Sequence, residues 1–184
     1  SKEELLDCLV KDFTNNLVER IEGIITIPHL NAPDKLNKLY LESSSYKAEN
    51  IDTIITITEA IYNNNNILFR HKFHAKSVEK TLPIMTAIFQ QGKDEGYFQI
   101  SDPEATARLV LLFGISVAEY SAKLLLQLQD NPQKINELYE HFMIYQNSIE
   151  RILGAAQGSI QAFDKKFFDV FKTLYNSSSS NIGI

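Results

Sequence analysis

Apolar residues recur along this chain at intervals of three and four, the spacing of helices buried on one side. Leu5, Leu6, Leu9, Val10, Phe13, Leu17, Ile21, Ile24 and Ile25 form the first such stripe, which predicts a helix from Ser1 to about Ile25 that stops before Pro28. Ser1 and Glu4 have the spacing of a capping box. Asn31-Ala32-Pro33-Asp34 opens a second helix, with Leu36, Leu39 and Tyr40 inward and Ser43-Ser44-Ser45 weakening its end near Tyr46. Ile51, Thr53, Ile55 and Ile57 alternate as in a strand. Ile51, Ile54, Ile55, Thr58 and Ile61 fit a helix equally well. With no second strand to pair with, the expectation for 51–62 is helix. The run Asn63 to Asn66 reads as a loop, because Asn side chains compete for backbone hydrogen bonds.

Ile67 to Glu95 reads as one long helix or two, since Pro83 deletes a backbone donor and predicts a kink or break near Val78–Leu82. Gly96 is placed to end that helix in the left-handed region, and Tyr97, Phe98 and Ile100 cover the turn. Asp102 then caps, Pro103 suits the first helical position and Glu104 faces the dipole's positive end. The helix that follows, to about Gln129, has only a thin polar stripe of Glu104, Arg108, Glu119 and Lys123, with Glu119 and Lys123 as an i,i+4 pair. Leu109, Phe113, Val117, Tyr120 and Leu124 make one apolar face; Gly114, Ala118, Ala122 and Leu125 make another. Both faces must be buried, one in the core and one against further structure or a second subunit. Asn131-Pro132 is expected to cap the next helix, to about Leu153, whose stripe includes Ile135, Leu138, Tyr139, Phe142, Tyr145, Ile149 and Ile152. The short loop between these two helices makes them antiparallel. Gly154 to Gly158 reads as a flexible break before a last amphipathic helix carrying Ile160, Phe163, Phe167, Phe168, Phe171 and Leu174.

The turn and its flanks carry a resemblance. A helix ending Gln91-Gly92-Lys93-Asp94-Glu95-Gly96-Tyr97-Phe98, then Asp102-Pro103-Glu104-Ala105, then a long apolar helix resembles the C-terminal domain of TetR/AcrR-type transcriptional regulators. Ser1-Lys2-Glu3-Glu4-Leu5-Leu6 is similar to the run that follows the DNA-reading helix in that family. The resemblance spans residues 1–155, and no recognition helix is seen in the chain. It implies an all-α, single-domain bundle of about seven helices, with an effector-binding and dimerisation domain over 1–175 and a disordered tail over 176–184. The expected partners are a second copy of the chain, a small apolar effector, and DNA reached only through the missing helix-turn-helix. The implied dimer is a four-helix bundle of the last two long helices, with Gly114, Ala118, Ala122, Leu125, Phe142, Tyr145, Ile149 and Ile152 at its interface. The implied cavity draws on Tyr40, Tyr62, Phe69, His74, Phe89, Phe113 and Tyr120, since rings with a few oriented polar groups make up small-molecule pockets. Plain core packing is the competing reading for each ring. The alternative function is a freestanding helical carrier of a lipid or hydrophobic ligand.

Composition narrows the field. The chain carries 18 basic and 23 acidic residues, a net charge of −5, so it is a poor nucleic-acid binder by itself. One cysteine, Cys8, permits no internal disulfide and suits a reducing compartment, so the expected location is cytoplasmic. No apolar run is long enough for a membrane span, and the N-terminus has no signal-peptide pattern. No nucleophile elbow, phosphate loop or repeated Glu-x-x-His pair appears, so an enzyme is not expected. His71 and His74 lie three apart on one helix face, and His141 or an acidic residue is the conceivable third ligand. A zinc site needs three or four identifiable ligands, so the expectation is a pair of solvated or pocket-lining histidines with no metal and no cofactor.

Overall fold

The computed structural model describes residues 2–62, 66–128, 130–164 and 168–169. Among the described residues six helices follow in order: α1 (Lys2–Glu22), α2 (Ala32–Glu49), α3 (Ile51–Tyr62), α4 (Ile67–Asp94), α5 (Pro103–Leu125) and α6 (Lys134–Leu153). A 3-10 turn, Gly23–Thr26, extends α1. No strand occurs among the described residues, so the chain is all-α and 51–62 is helix. No described helix is long and apolar enough to cross a membrane. The expected cap at Ser1, Asn63 to Asn65, Phe167, Phe171, Leu174 and the tail over 176–184 lie outside the described residues.

Local chemistry accounts for three of the six helix starts. Asn31 Oδ1 accepts from Asp34 N at 2.9 Å, and Asp102 Oδ1 from Ala105 N at 3.0 Å, so both side chains satisfy first-turn donors. Asn66 does the same for Phe69 N at 3.2 Å. Asn131 does not cap α6. That helix begins at Lys134 behind Gln133, whose side chain makes no capping bond, and the Asn131 carbonyl accepts from Lys134 N instead. The Ser43-Ser44-Ser45 run does not end α2, which continues to Glu49. One reason is Arg20 of α1, which grips the far end of α2: Nη1 donates to Glu49 Oε2 at 2.6 Å and Nε to Glu42 Oε2 at 2.8 Å.

α4 is not broken at Pro83; helix is continuous from Ile67 to Asp94 with Pro83 inside it and exposed. Its C-terminal half supplies Ile84, Met85, Ile88 and Phe89 to the main core, and that burial holds the helix together across the missing donor. The turn after α4 is tightly built. Gly96 adopts φ +80°, and Phe98 N donates to Gly92 O at 3.0 Å. Phe98 packs directly against Gly92, where an added Cβ would stand 2.1 Å from its ring. The ring also meets Phe89 edge-on at 5.8 Å between centroids.

The main core joins α1, α2, the second half of α4, α5 and α6. A second cluster gathers Leu124, Leu128, Ile135, Leu138 and Phe168, and a third gathers Val10, Phe13, Ile57 and Ile61. The segment after α6 departs from expectation. Residues 155–164 are irregular rather than the start of an amphipathic helix, and they are tied down rather than flexible. Ile160 N donates to Glu150 Oε1 at 3.0 Å, Gln161 N to Asn37 Oδ1 at 2.8 Å, and Ala162 N to Gln146 Oε1 at 3.0 Å. Side chains of α2 and α6 thus satisfy backbone groups that a helix would have satisfied internally. Ile160, Ala162 and Phe168 are buried as a result.

Gly92→Ala should lower stability by about 1–3 kcal/mol, because the new methyl group must displace a ring packed in the core. Gly23→Ala, where a Cβ meets nothing within 4 Å, should leave the urea midpoint nearly unchanged. Equal denaturation midpoints for the two variants would contradict the close contact.

Candidate ligand-binding site

α4 and α5 form an antiparallel hairpin, and a cleft of about 710 Å³ opens between the first half of α4 and the middle of α5. That volume is of the size that holds a small molecule. α4 contributes positions three and four apart from Ile67 to Leu82, and α5 contributes Arg108, Leu112, Ile115 and Glu119. The middle of the cleft is apolar, walled by Ala75, Val78, Leu82, Leu112 and Ile115. Polar groups collect at the ends. Arg70, His71, His74 and Glu119 stand at one, and Glu79 and Arg108 towards the other.

The first polar end is a small network drawn from three helices. Glu119 of α5 receives Arg70 of α4, Nε to Oε1, at 3.3 Å. The Arg70 guanidinium also covers the Tyr62 ring of α3 at 5.4 Å from its centroid. Burial, with Glu119 nearby, pushes the Tyr62 hydroxyl up to about 12. His74 Nε2 lies 3.7 Å from the same Glu119 oxygen, beyond hydrogen-bond length. That nitrogen is buried and has no hydrogen-bond partner. Burial holds His74 below its ordinary pKa; Glu119 opposes that shift, while Arg70 and His71 add to it. His74 is therefore a neutral imidazole at neutral pH, with one ring nitrogen uncommitted. Two arginines and two glutamates then balance across the cleft.

Of the residues expected to line a cavity, only His74 lines this cleft. Tyr62 reaches the site through Arg70, and both Tyr62 and Phe69 pack on the α1–α3 cluster. Phe89 is fully buried beside Phe98. Tyr40 lies inside against Tyr145, where burial drives both hydroxyls above their ordinary range. Phe113 packs on Tyr145 at 5.2 Å. Tyr120 is exposed, donates to Glu137 Oε1 at 2.5 Å and stacks on His141 at 4.4 Å. His141 thus packs between α5 and α6, its buried Nε2 without a hydrogen-bond partner, and does not join the cleft lining with His71 and His74. Among the described residues no group of three or more His, Cys, Asp or Glu side chains is gathered for a metal.

Apart from His71 and His74, the cleft residues, Arg70, Leu112, Ile115 and Glu119 among them, are not marked out by the sequence as a site. In sequence Glu119 reads as the partner of Lys123 on its own helix; it turns across to α4 instead. A signal was present in the i, i+3, i+4 series Ile67, Arg70, His71, His74, Ala75, Val78 and Leu82, which no aromatic residue interrupts.

Most residues expected at a subunit interface face inward. Ala122, Tyr145 and Ile149 are buried, and a Cβ on Gly114 would come within 3.0 Å of the Tyr145 oxygen. Phe142 meets Phe163 and Phe168 edge-on, and Leu125 packs on the same cluster. Ala118 and Ile152 remain exposed. Comparison of the chain with protein-family models, with curated proteins and with solved structures finds no match.

The depressed His74 pKa has a defined consequence for stability. The unfolded chain binds a proton at the ordinary histidine value, near 6.5, before the folded chain does. The contribution is therefore present above that value and is lost as pH falls towards the folded value. His74→Gln should remove it, so the gap in Tm between wild type and variant should narrow from about pH 7.5 to about pH 5.5. A gap that widens on acidification would reverse the assigned sign.

Proposed function

We propose that the chain is the effector-binding and dimerisation domain of a TetR-like transcriptional regulator, with DNA contact made outside these residues. The observation that carries the reading is the α4–α5 cleft: an apolar trough with a confined polar end, walled by two helices of an all-α bundle. The turn motif that resembles the family sits at the closed end of that same hairpin.

The mechanism is a population shift. A small, largely apolar ligand enters between α4 and α5 and favours one arrangement of α4 over another; only that differential affinity moves the equilibrium. Lys80, on α4 between the cleft residues Glu79 and Leu82, hydrogen-bonds Asn15 of α1, so α4 and α1 are joined beside the site. α1 carries the movement to the reading heads. Heads in a two-fold dimer must match about one DNA turn, near 34 Å, so a small pivot of α1 suffices to break operator binding.

The dimer face follows from what α5 and α6 leave uncovered. Leu109 and Tyr120, eleven residues apart and so on one side of α5, are exposed. On α6, Ile144 and Ile152 are exposed. A two-fold axis beside this hairpin would stack them on their copies as a four-helix bundle.

Light scattering tests the reading. The chain should run at twice 21.0 kDa, and Leu109→Glu with Ile144→Glu should return it to 21.0 kDa with its helicity intact, since both positions are exposed. A wild-type monomer would defeat the dimeric regulator and leave a freestanding helical carrier of a hydrophobic ligand as the better account.

A further inference from the structure

We infer that the inner face of α2 holds a second ligand site, where Lys47 and the hydroxyls of Ser43 and Ser44 receive the carboxylate of an amphiphilic monocarboxylic acid. None of the three lines the α4–α5 cleft, so the inference does not rest on the reading of that cleft.

The inner stripe of α2 changes character halfway along. Leu36 and Leu39 are buried in the main core, and Tyr40 packs beside them. At intervals of three and four the stripe continues through Ser43, Ser44 and Lys47, all half-buried. Tyr46 and Ala48 flank Lys47 to either side round the helix. Tyr46 packs on the cluster of Val10 and Phe13, Ala48 on the cluster of Leu124 and Leu138. Lys47 therefore stands where three apolar clusters approach one another and do not merge.

The polar groups at this junction are uncommitted. Other serines within helices return their hydroxyls to the backbone: Ser77, Ser121 and Ser148 donate to the carbonyl four residues back at 2.9, 2.7 and 2.8 Å. Ser43 and Ser44 do not. Among the described residues neither they nor Lys47 makes a side-chain hydrogen bond or an ion pair. Nor is any of their polar atoms sealed from solvent, as His74 Nε2, Thr86 Oγ1 and His141 Nε2 are, so a ligand atom can reach them. The glutamates of α2 are committed elsewhere, since Arg20 holds both Glu42 and Glu49. Lys47 nevertheless lies deep enough that burial alone holds its ammonium below the ordinary lysine range. A cation that is crowded, reachable and unpaired lacks one negative charge. An anion arriving within about 4–6 Å reverses that shift, because it favours the charged form.

The donor set selects the head. One ammonium and two hydroxyls match a carboxylate, which accepts at two oxygens and carries a single charge. A phosphate monoester brings a charge of about −1.5 to −2 and leaves an excess beside apolar clusters. An alcohol leaves the ammonium unpaired, and a second ammonium is repelled. The surroundings select the body. Tyr40 stands two turns before Lys47, and Ile51 and Ile54 follow it, each packed on one of the three clusters, so the rest of the ligand is apolar.

Calorimetric titration of the whole chain at neutral pH with octanoate, octanol, octyl phosphate and octylammonium tests the inference. The four share one apolar body and differ in the head. Octanoate should bind at least about tenfold more tightly than each of the others. Lys47→Gln should erase that preference, and Lys47→Arg should keep it. Leu112→Glu, in the wall of the α4–α5 cleft, should leave octanoate binding unchanged. On the wild type, where no variant has to fold, octanoate should also slow acetylation of Lys47 by acetic anhydride severalfold, read by peptide mass. Preference for another head would overturn the carboxylate assignment. Octanoate binding that Lys47→Gln leaves intact, or that leaves the acetylation of Lys47 unslowed, would overturn the site. Binding of none of the four would defeat the inference and leave the dimeric regulator to be judged by its mass in solution.

Discussion

The seating of Phe98 against the bare backbone of Gly92 is the contact on which the architecture depends. It closes α4 onto α5, and any side chain at position 92 would hold the two helices apart. The same turn is fastened on two other sides. Gln99 N donates to the last carbonyl of α6, at Leu153, at 2.7 Å. Glu95 Oε2 accepts from Ala32 N at 2.9 Å, and Gln91 Nε2 donates to Leu30 O at 3.0 Å, which ties the start of α2 to the end of α4. Four helices therefore meet at one short turn. The cleft lies towards the far end of the α4–α5 hairpin.

This arrangement divides the aromatic residues from the cleft. Rings bury the most area per residue and are drawn to the well-packed regions. Phe89 and Phe98 fill the knotted end, Tyr40, Phe113 and Tyr145 fill the middle, and Phe142, Phe163 and Phe168 seal α6. The cleft is left to aliphatic side chains and a few ionised ones. That division explains why the α4–α5 cleft is not lined by the expected rings. Of the rings expected to bind a ligand, Phe89 and, beside Tyr145, Tyr40 and Phe113 belong instead to the packing of the main core.

What the sequence revealed was local. The Asp102 cap, the left-handed Gly96, the boundaries of α3 and the end of α6 at Leu153 each follow from residues within a few positions of one another. What it concealed was set by partners far along the chain. Glu119 reads as one half of a pair with Lys123 until α4 brings Arg70 alongside it. Residues 159–164 read as the start of an amphipathic helix until Asn37, Gln146 and Glu150 accept their backbone donors. Gly114 reads as room for a second subunit until Tyr145 of the same chain fills it. In each case the residue type was informative and the identity of its neighbour was not, because helical periodicity specifies which side of a helix is buried and never against what.

Pro83 joins the two halves of this picture. It removes the donor that would have served the Glu79 carbonyl, one turn back and at the edge of the cleft. Below Pro83, α4 is locked into the core by Ile84, Met85, Ile88 and Phe89. Above it, α4 carries the cleft on one side and the Lys80 bond to α1 on the other. A helix weakened by one backbone bond at the border between a fixed half and a less buried half bends most easily at that border. In the regulator proposed above, a molecule filling the cleft would push on the upper half, with the lower half as the fixed reference for α1. α1 resists through Arg20, whose bonds to Glu42 and Glu49 anchor it to α2 near its C-terminal end, leaving its N-terminal end the part with the longer lever. In the regulator proposed above, that is the end nearest the reading heads, so one fixed half-helix, one proline and one arginine clamp suffice to turn occupancy of a small cleft into rotation of the first helix.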